Sequence, residues 1–184
     1  MVGRLADPHR VPGIAFRQEG HAVALIGPFA PEFAGSELEK LRGGLADGLR
    51  RVELERQAIA LAFVREVARS GELASAHDVS DGGLACALAE CAIAGSLGAR
   101  LDLTQLPASS PEEALFGEGP GGVVVSGPAP VIERLRASPT GVEVVPLGWV
   151  GGTDLVVTAG SASFELSVHE SRAVYERAIP DQLR

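Results

Sequence analysis

The chain has 184 residues, 46% of them apolar, enough for one buried core and too many for a disordered chain. Its formal net charge of −8 comes with no basic stripe, which argues against nucleic acid as a partner. No apolar run reaches the roughly 20 residues of a membrane span, and no signal-like segment follows Met1, so the reading is a cytoplasmic protein with no membrane partner.

Residues 1–20 contain Pro8 and Pro12 and show no sustained period. They read as a linker and the remnant of a preceding domain, with one domain following over 21–184. His21 to Gly27 is a short apolar run, predicted to be a buried strand that Pro28 ends. Pro31 to Arg42 suggests a short helix, closed by Gly43 and Gly44. Leu49 to Ser70 is the clearest amphipathic helix. Its predicted buried stripe is Leu54, Ala58, Leu61 and Ala68, and Gly71 stands where a left-handed C-cap is expected. Leu73 to Val79 follows as a strand.

Gly83 to Ala94 is apolar nearly all round and is predicted to be a buried helix, stopped by Gly95 and Gly98. Ala99 to Leu103 alternates like a strand. Pro107 to Glu113 is a loop or helical turn. Gly122 to Ser126 is a β-branched strand, and Pro130 to Ala137 a helix. Val142 to Val150 is a strand that Pro146 marks as edge-like or bent. Leu155 to Thr158 and Ser163 to Val168 form a hairpin, and His169 to Ile179 a closing helix. The order departs from strict strand–helix alternation, and the hairpin requires antiparallel pairing. The fold class is α+β: a mixed β-sheet sandwich covered by helices.

Chemistry concentrates where the second strand meets the apolar helix, at Asp78-Val79-Ser80-Asp81-Gly82-Gly83. Asp78 lies at a strand end, where sheets of this kind often place ligand groups. Ser80 or Asp81 can cap the helix. Gly82 and Gly83 allow a tight turn and close approach of a ligand. The helix start favours phosphate, and a carboxylate beside phosphate suits Mg²⁺. An ordinary helix cap explains the same residues equally well.

A second candidate is the glycine-rich stretch Leu115 to Gly122, in which Glu118 is the lone charge; a flexible connector is the simpler reading. A third is Glu32 to Glu37, where Ser36 and Glu37 either face a ligand or start a helix. His77 is a candidate general base, though a packed histidine is commoner. No serine or cysteine is spaced for a nucleophilic triad. Cys86 and Cys91, five residues apart, face directions about 140° apart on a helix, so neither a disulfide nor a shared metal is expected. Both read as small buried side chains. The four histidines show no metal-ligand spacing.

The string from Ala76 to Glu90, AHDVSDGGLACALAE, resembles the helix entry of formylglycinamidine ribonucleotide (FGAM) synthase, synthetase subunit, in the AIR synthase superfamily. Pro31 to Glu37 is similar to the family's stretch ending Gly-Gly-Ser-Glu. Leu115-Phe116-Gly117-Glu118 with Val123 to Ser126 is similar to its late strand motif, and Gly148 with Val150-Gly151 to the strand before its closing hairpin. The resemblance covers most of residues 12–180 and implies an AIR synthase C-terminal-type domain. It implies a part in an ATP-dependent ligase that makes FGAM, ADP and phosphate from FGAR, glutamine-derived ammonia and ATP. The family's main ATP and substrate motifs lie in N-type domains, so this chain alone is expected to be inactive.

The implied partners are the remaining domains of the synthetase chain, a glutaminase subunit and a small accessory subunit; a homo-oligomer is compatible with this reading. The implied cofactors are ATP and Mg²⁺. No catalytic residue is expected here. Ser80, Asp81, Gly82, Gly83 and Glu118 are the expected nucleotide or phosphate contacts, and Asp78 the metal ligand. Three positions depart from the family pattern: Ala34 replaces a glycine, Leu38 replaces a tyrosine, and the loop Gly119 to Gly122 lacks an arginine. The alternative is a scaffold domain that positions ATP-binding neighbours.

Overall fold

The structure, a computed structural model, describes residue 7, residues 11–44, residue 48 and residues 51–183. Among these residues, seven strands form one sheet: β1 (Ala22–Ile26), β2 (Ser75–Asp78), β3 (Ala99–Asp102), β4 (Val123–Gly127), β5 (Val144–Val150), β6 (Asp154–Ala159) and β7 (Ala162–Ser167). Their spatial order is β2-β4-β1-β5-β3-β6-β7. Every neighbouring pair is antiparallel except β3 with β6. Among the described residues, six helices accompany the sheet: α1 (Glu37–Leu41), α2 (Leu54–Ser70), α3 (Gly83–Gly95), α4 (Pro111–Phe116), α5 (Ala129–Arg136) and α6 (Val168–Gln182).

Strand β1 is buried along its whole length because both of its faces are covered. Val23 and Leu25 point into a core shared with Leu84, Leu88 and Cys91 of α3, Leu115 of α4 and Val168 of α6. Ala22, Ala24 and Ile26 point the other way, into a core shared with Val67 of α2 and Ile132 and Leu135 of α5. The period of two thus serves two apolar layers at once. The mixed sheet between helical layers agrees with the expected α+β class.

Several expectations change on contact with the fold. Of the two readings of β5, edge-like or bent, the bent one holds: the strand lies between β1 and β3 and carries a bulge. Val23 pairs with Gly148 and Ala24 with Pro146, so Leu147 is an extra residue in the ladder. That bulge is where a residue without an N–H is tolerated inside a sheet. Helix α1 is shorter than expected, because Glu32 makes an antiparallel bridge to Glu118 instead of coiling. The Ser36 side chain then caps the helix, accepting from the Glu39 amide at 3.2 Å. Residues 111–116 are a helix, with Ser110 capping it and Pro111 in its first turn.

Helix α2 starts at Leu54; the expected start at Leu49 falls outside the described residues, and 51–53 are not helical. Its buried face also differs from the expected one. Ala60 and Val67 are buried, and Phe63 and Val64 pack beside them, whereas Leu54 and Leu61 are exposed. The helix carries two apolar stripes. The stripe at 60, 63, 64 and 67 meets the sheet because it holds the aromatic ring and both valines that pack there. Gly71 is the left-handed C-cap as expected, with φ 77°. The hairpin β6–β7 turns at Gly160 and Ser161 as expected.

The segment expected to be a linker is packed over its later part. The Gly13 carbonyl accepts from Ala76 N at 3.0 Å, Phe16 is 1% exposed in the larger core, and its amide donates to Cys91 O at 3.1 Å. Residues 1–6 and 8–10 of that segment lie outside the described residues.

Candidate functional site

Strand β2 ends at Asp78, and its pairing carries one step further: the Val79 amide donates to the Gly122 carbonyl at 2.8 Å. Val79 is buried, which turns Asp78, Ser80 and Asp81 outward. All three are exposed. The Asp78 carboxylate is 73% exposed and lies 3.4 Å from His77 Nδ1. Ser80 and Asp81 make no side-chain hydrogen bond among the described residues, so neither caps α3 by its side chain.

The cap comes instead from Glu118, 36 residues on. Its Oε1 accepts from the Gly82 amide at 2.8 Å and from the Glu37 amide at 2.9 Å. The Glu118 backbone exchanges two hydrogen bonds with Glu32, at 2.9 and 3.0 Å. The three stretches singled out in the sequence therefore meet at one place: 32–37, 78–83 and 115–118. The glycine-rich stretch is pinned there rather than being a free connector. At its far end, Gln57 Nε2 donates to the Pro120 carbonyl at 3.2 Å.

The two glycines of the turn leave room mainly for the chain itself. Gly83 has φ +69°, and a Cβ built there would stand 2.6 Å from the Gly117 carbonyl oxygen and 2.9 Å from that of Leu115. Gly82 has φ +79°, and a Cβ there would meet Cys86 Sγ at 2.4 Å. Left-handed backbone favours glycine at both positions, and backbone crowding adds to it at Gly83, with no ligand invoked.

His77 ties strand to helix, because its Nε2 lies 2.8 Å from Glu90 Oε2 on α3. With both ring nitrogens facing carboxylates, it is placed as a structural bridge rather than a free base. Sequence reasoning missed Glu90 as its partner. The signal was present, since Glu90 is the single charge in an apolar helix.

The cysteines divide. Cys91 is buried as expected, but Cys86 is exposed, on the flank of α3 beside Gly82. Burial, then the Glu90 charge, pushes the Cys91 thiol up to about 12. Partial burial, then Glu90 and Glu118, raises Cys86 as well. Both thiols stay protonated at neutral pH, so neither is an activated nucleophile. A thiol reagent is expected to modify Cys86 first and more slowly than a free thiol, and Cys91 only on unfolding; mass mapping of the modified residue checks this. Because the folded state holds the Cys91 proton more tightly, that part of the stability is complete below the ordinary thiol value of 9.0 and falls as pH rises toward 12.

Among the described residues, no group of three His, Cys, Asp or Glu side chains gathers to hold a metal. Asp78 can give a cation one carboxylate, and phosphate, water or another domain would have to complete the shell. A cavity of about 310 Å³ lies on the far side of the glycine-rich loop, lined by Arg51, Arg56, Gln57 and Pro120. It contains none of Asp78, Ser80, Asp81 or Glu118. No helix among the described residues is long and apolar enough to cross a membrane.

Comparison with known proteins bears on the fold and the family. The chain is 38% identical over 184 residues to the phosphoribosylformylglycinamidine synthase subunit PurL of Moorella thermoacetica, covering 98% of this chain and 25% of that protein. It is 45% identical over 136 residues to PurL of a Synechococcus strain, covering 68% and 17%. The chain thus spans about a quarter or less of the length of these curated relatives. Its fold is similar to that of Thermotoga maritima PurL complexed with FGAR, with TM-score 0.72, 19% identity, and coverage of 88% of this chain and 29% of that one. It is also similar to the hydrogenase maturation protein HypE, with TM-score 0.57, 22% identity, and coverage of 89% and 56%. Residues 18–159, which contain all three converging segments, match the family described as AIR synthase related protein, C-terminal domain, and the chain belongs to that family.

Proposed function

We propose that this chain supplies the C-terminal domain of an ATP-dependent carbon–nitrogen ligase, FGAM synthase. That enzyme would convert FGAR, glutamine-derived ammonia and ATP to FGAM, ADP and phosphate in purine biosynthesis. The observation that carries the reading is the convergence, inside the family match, of the three motif segments on one exposed edge, Asp78 to Gly83. The likeness to PurL proteins over nearly the whole chain supports it. A Thermotoga maritima PurL complexed with ATP shares the fold, at TM-score 0.64 and 18% identity.

In this reading the chain forms one wall of a site completed by the synthetase's N-type domains. Asp78 offers its exposed carboxylate to Mg²⁺, which would neutralise phosphate charge there. Ser80 and Asp81 face the nucleotide, the Gly82–Gly83 turn shapes the wall, and Glu118 holds it in place. The partners are the rest of the synthetase chain, a glutaminase subunit and a small accessory subunit, in a cytoplasmic setting. Alone, with ATP and ammonia, the chain is expected to form no FGAM; turnover by it would overturn the reading.

A second reading is favoured by the Glu118 cap and the crowding at Gly83. Both account for the motif without a ligand, as in a scaffold that positions ATP-binding neighbours. Calorimetry of Mg-ATP on the full-length protein separates the two. Asp78→Ala is expected to weaken binding about tenfold, the size of one lost charged contact. Unchanged affinity would leave the scaffold.

A further inference from the structure

One carboxylate oxygen at the junction serves two helices. Glu118 Oε1 takes the amide of Gly82, which is the N-cap of α3, and the amide of Glu37, the first residue of α1. Amides at helix starts lack intrahelical acceptors and carry partial positive charge. The Ser36 hydroxyl serves the Glu39 amide in the same first turn of α1, whereas α3 has no side-chain cap of its own at Gly82. The Glu118 side chain is held in place from behind, because its backbone is bridged on both sides to Glu32. Charge-assisted bonds of this kind are roughly twice as strong as neutral ones.

We propose that Glu118 is a positioning residue acting as an internal anion. It fills the place that an external anion would take on the Gly82 amide. In doing so it locks residues 32–37, 78–83 and 115–118 into one edge. The Gly82 amide is thereby closed to phosphate. A ligand at this edge meets the side chains of Asp78, Ser80 and Asp81 and not the Gly82 amide. This role rests on hydrogen bonds within the domain and holds under either reading of its function.

The test uses the 184-residue chain as wild type, Glu118→Ala and Glu118→Gln. Each is measured by thermal unfolding and by amide exchange at Gly82 and Glu37. Each is measured in sodium formate and in sodium chloride of equal ionic strength. Glu118→Ala is expected to lower the unfolding midpoint by roughly 5 °C and to speed exchange at both amides roughly tenfold. Formate, a free carboxylate, should restore part of both losses where chloride does not, and wild type should ignore the exchange of salts. A side chain that merely fills space would show no such difference between the anions. Glu118→Gln keeps a neutral acceptor and should retain part of the protection at both amides. Unchanged exchange in Glu118→Ala, or equal response to the two salts, overturns the proposal. Should Glu118→Ala fail to fold, Glu118→Gln decides: wild-type protection in that variant shows that the charge is not needed and overturns the internal-anion role, and reduced protection at both amides upholds it.

Discussion

Phe16→Ala is expected to cost about 3–5 kcal/mol, lowering the unfolding midpoint of a chain of this size by roughly 6–20 °C. The ring is 1% exposed and lies in the same core as Leu84, Leu88 and Cys91. Its backbone is fixed as well: the amide donates to Cys91 O, and its carbonyl oxygen lies where a Cβ on Gly95 would fall. A neighbour this confined cannot relax far into the space an alanine leaves, which places the cost toward the upper end. Thermal unfolding followed by circular dichroism measures it. A shift of only one or two degrees would mean that the segment before His21 is an appendage after all.

Gly83→Ala is the second large effect, expected at about 3 kcal/mol, or roughly 6–12 °C. Two costs combine. A non-glycine residue at positive φ is strained, by about 1–3 kcal/mol. The new methyl would also press on the carbonyl oxygens of Gly117 and Leu115, which belong to backbone and cannot swing aside. The measurement also bears on why the glycine is there. If Gly83 served only to admit a ligand, alanine would leave the free protein as stable as before and would weaken binding alone. The crowding argues for a stability loss with no ligand present.

Much of the architecture was legible from local pattern. The alternation in 162–167 and its neighbouring strand, with a glycine turn between them, specifies a hairpin without help from elsewhere. The glycine at 71 ends its helix as its conformation dictates. The string at 76–90 marked the strand-to-helix edge and pointed to the AIR synthase superfamily, and residues 18–159 match the family of AIR synthase related C-terminal domains. The expected nucleotide contacts Ser80 and Asp81 do sit exposed on that edge.

Other features were illegible for identifiable reasons. Helix α2 has two apolar stripes, and periodicity alone does not say which one faces the sheet. Pro146 has the mark of an edge strand, yet β5 lies inside the sheet because a bulge absorbs the missing donor. Ser80 and Asp81 have the chemistry of a cap, but the cap is Glu118, and no local rule connects a helix start to a carboxylate 36 residues away.

By itself, then, the sequence determined the kinds of element, their order, the family, and the edge at which its polar residues collect. Those follow from short-range properties: side-chain period, backbone freedom at glycine and proline, and the identity of neighbouring residues. The tertiary structure alone decided which face of α2 is buried, that β5 is internal, that Phe16 belongs to the core, and that Glu118 closes the Gly82 amide. Each of these depends on which surfaces meet once the chain has collapsed, and so on contacts between residues far apart in sequence.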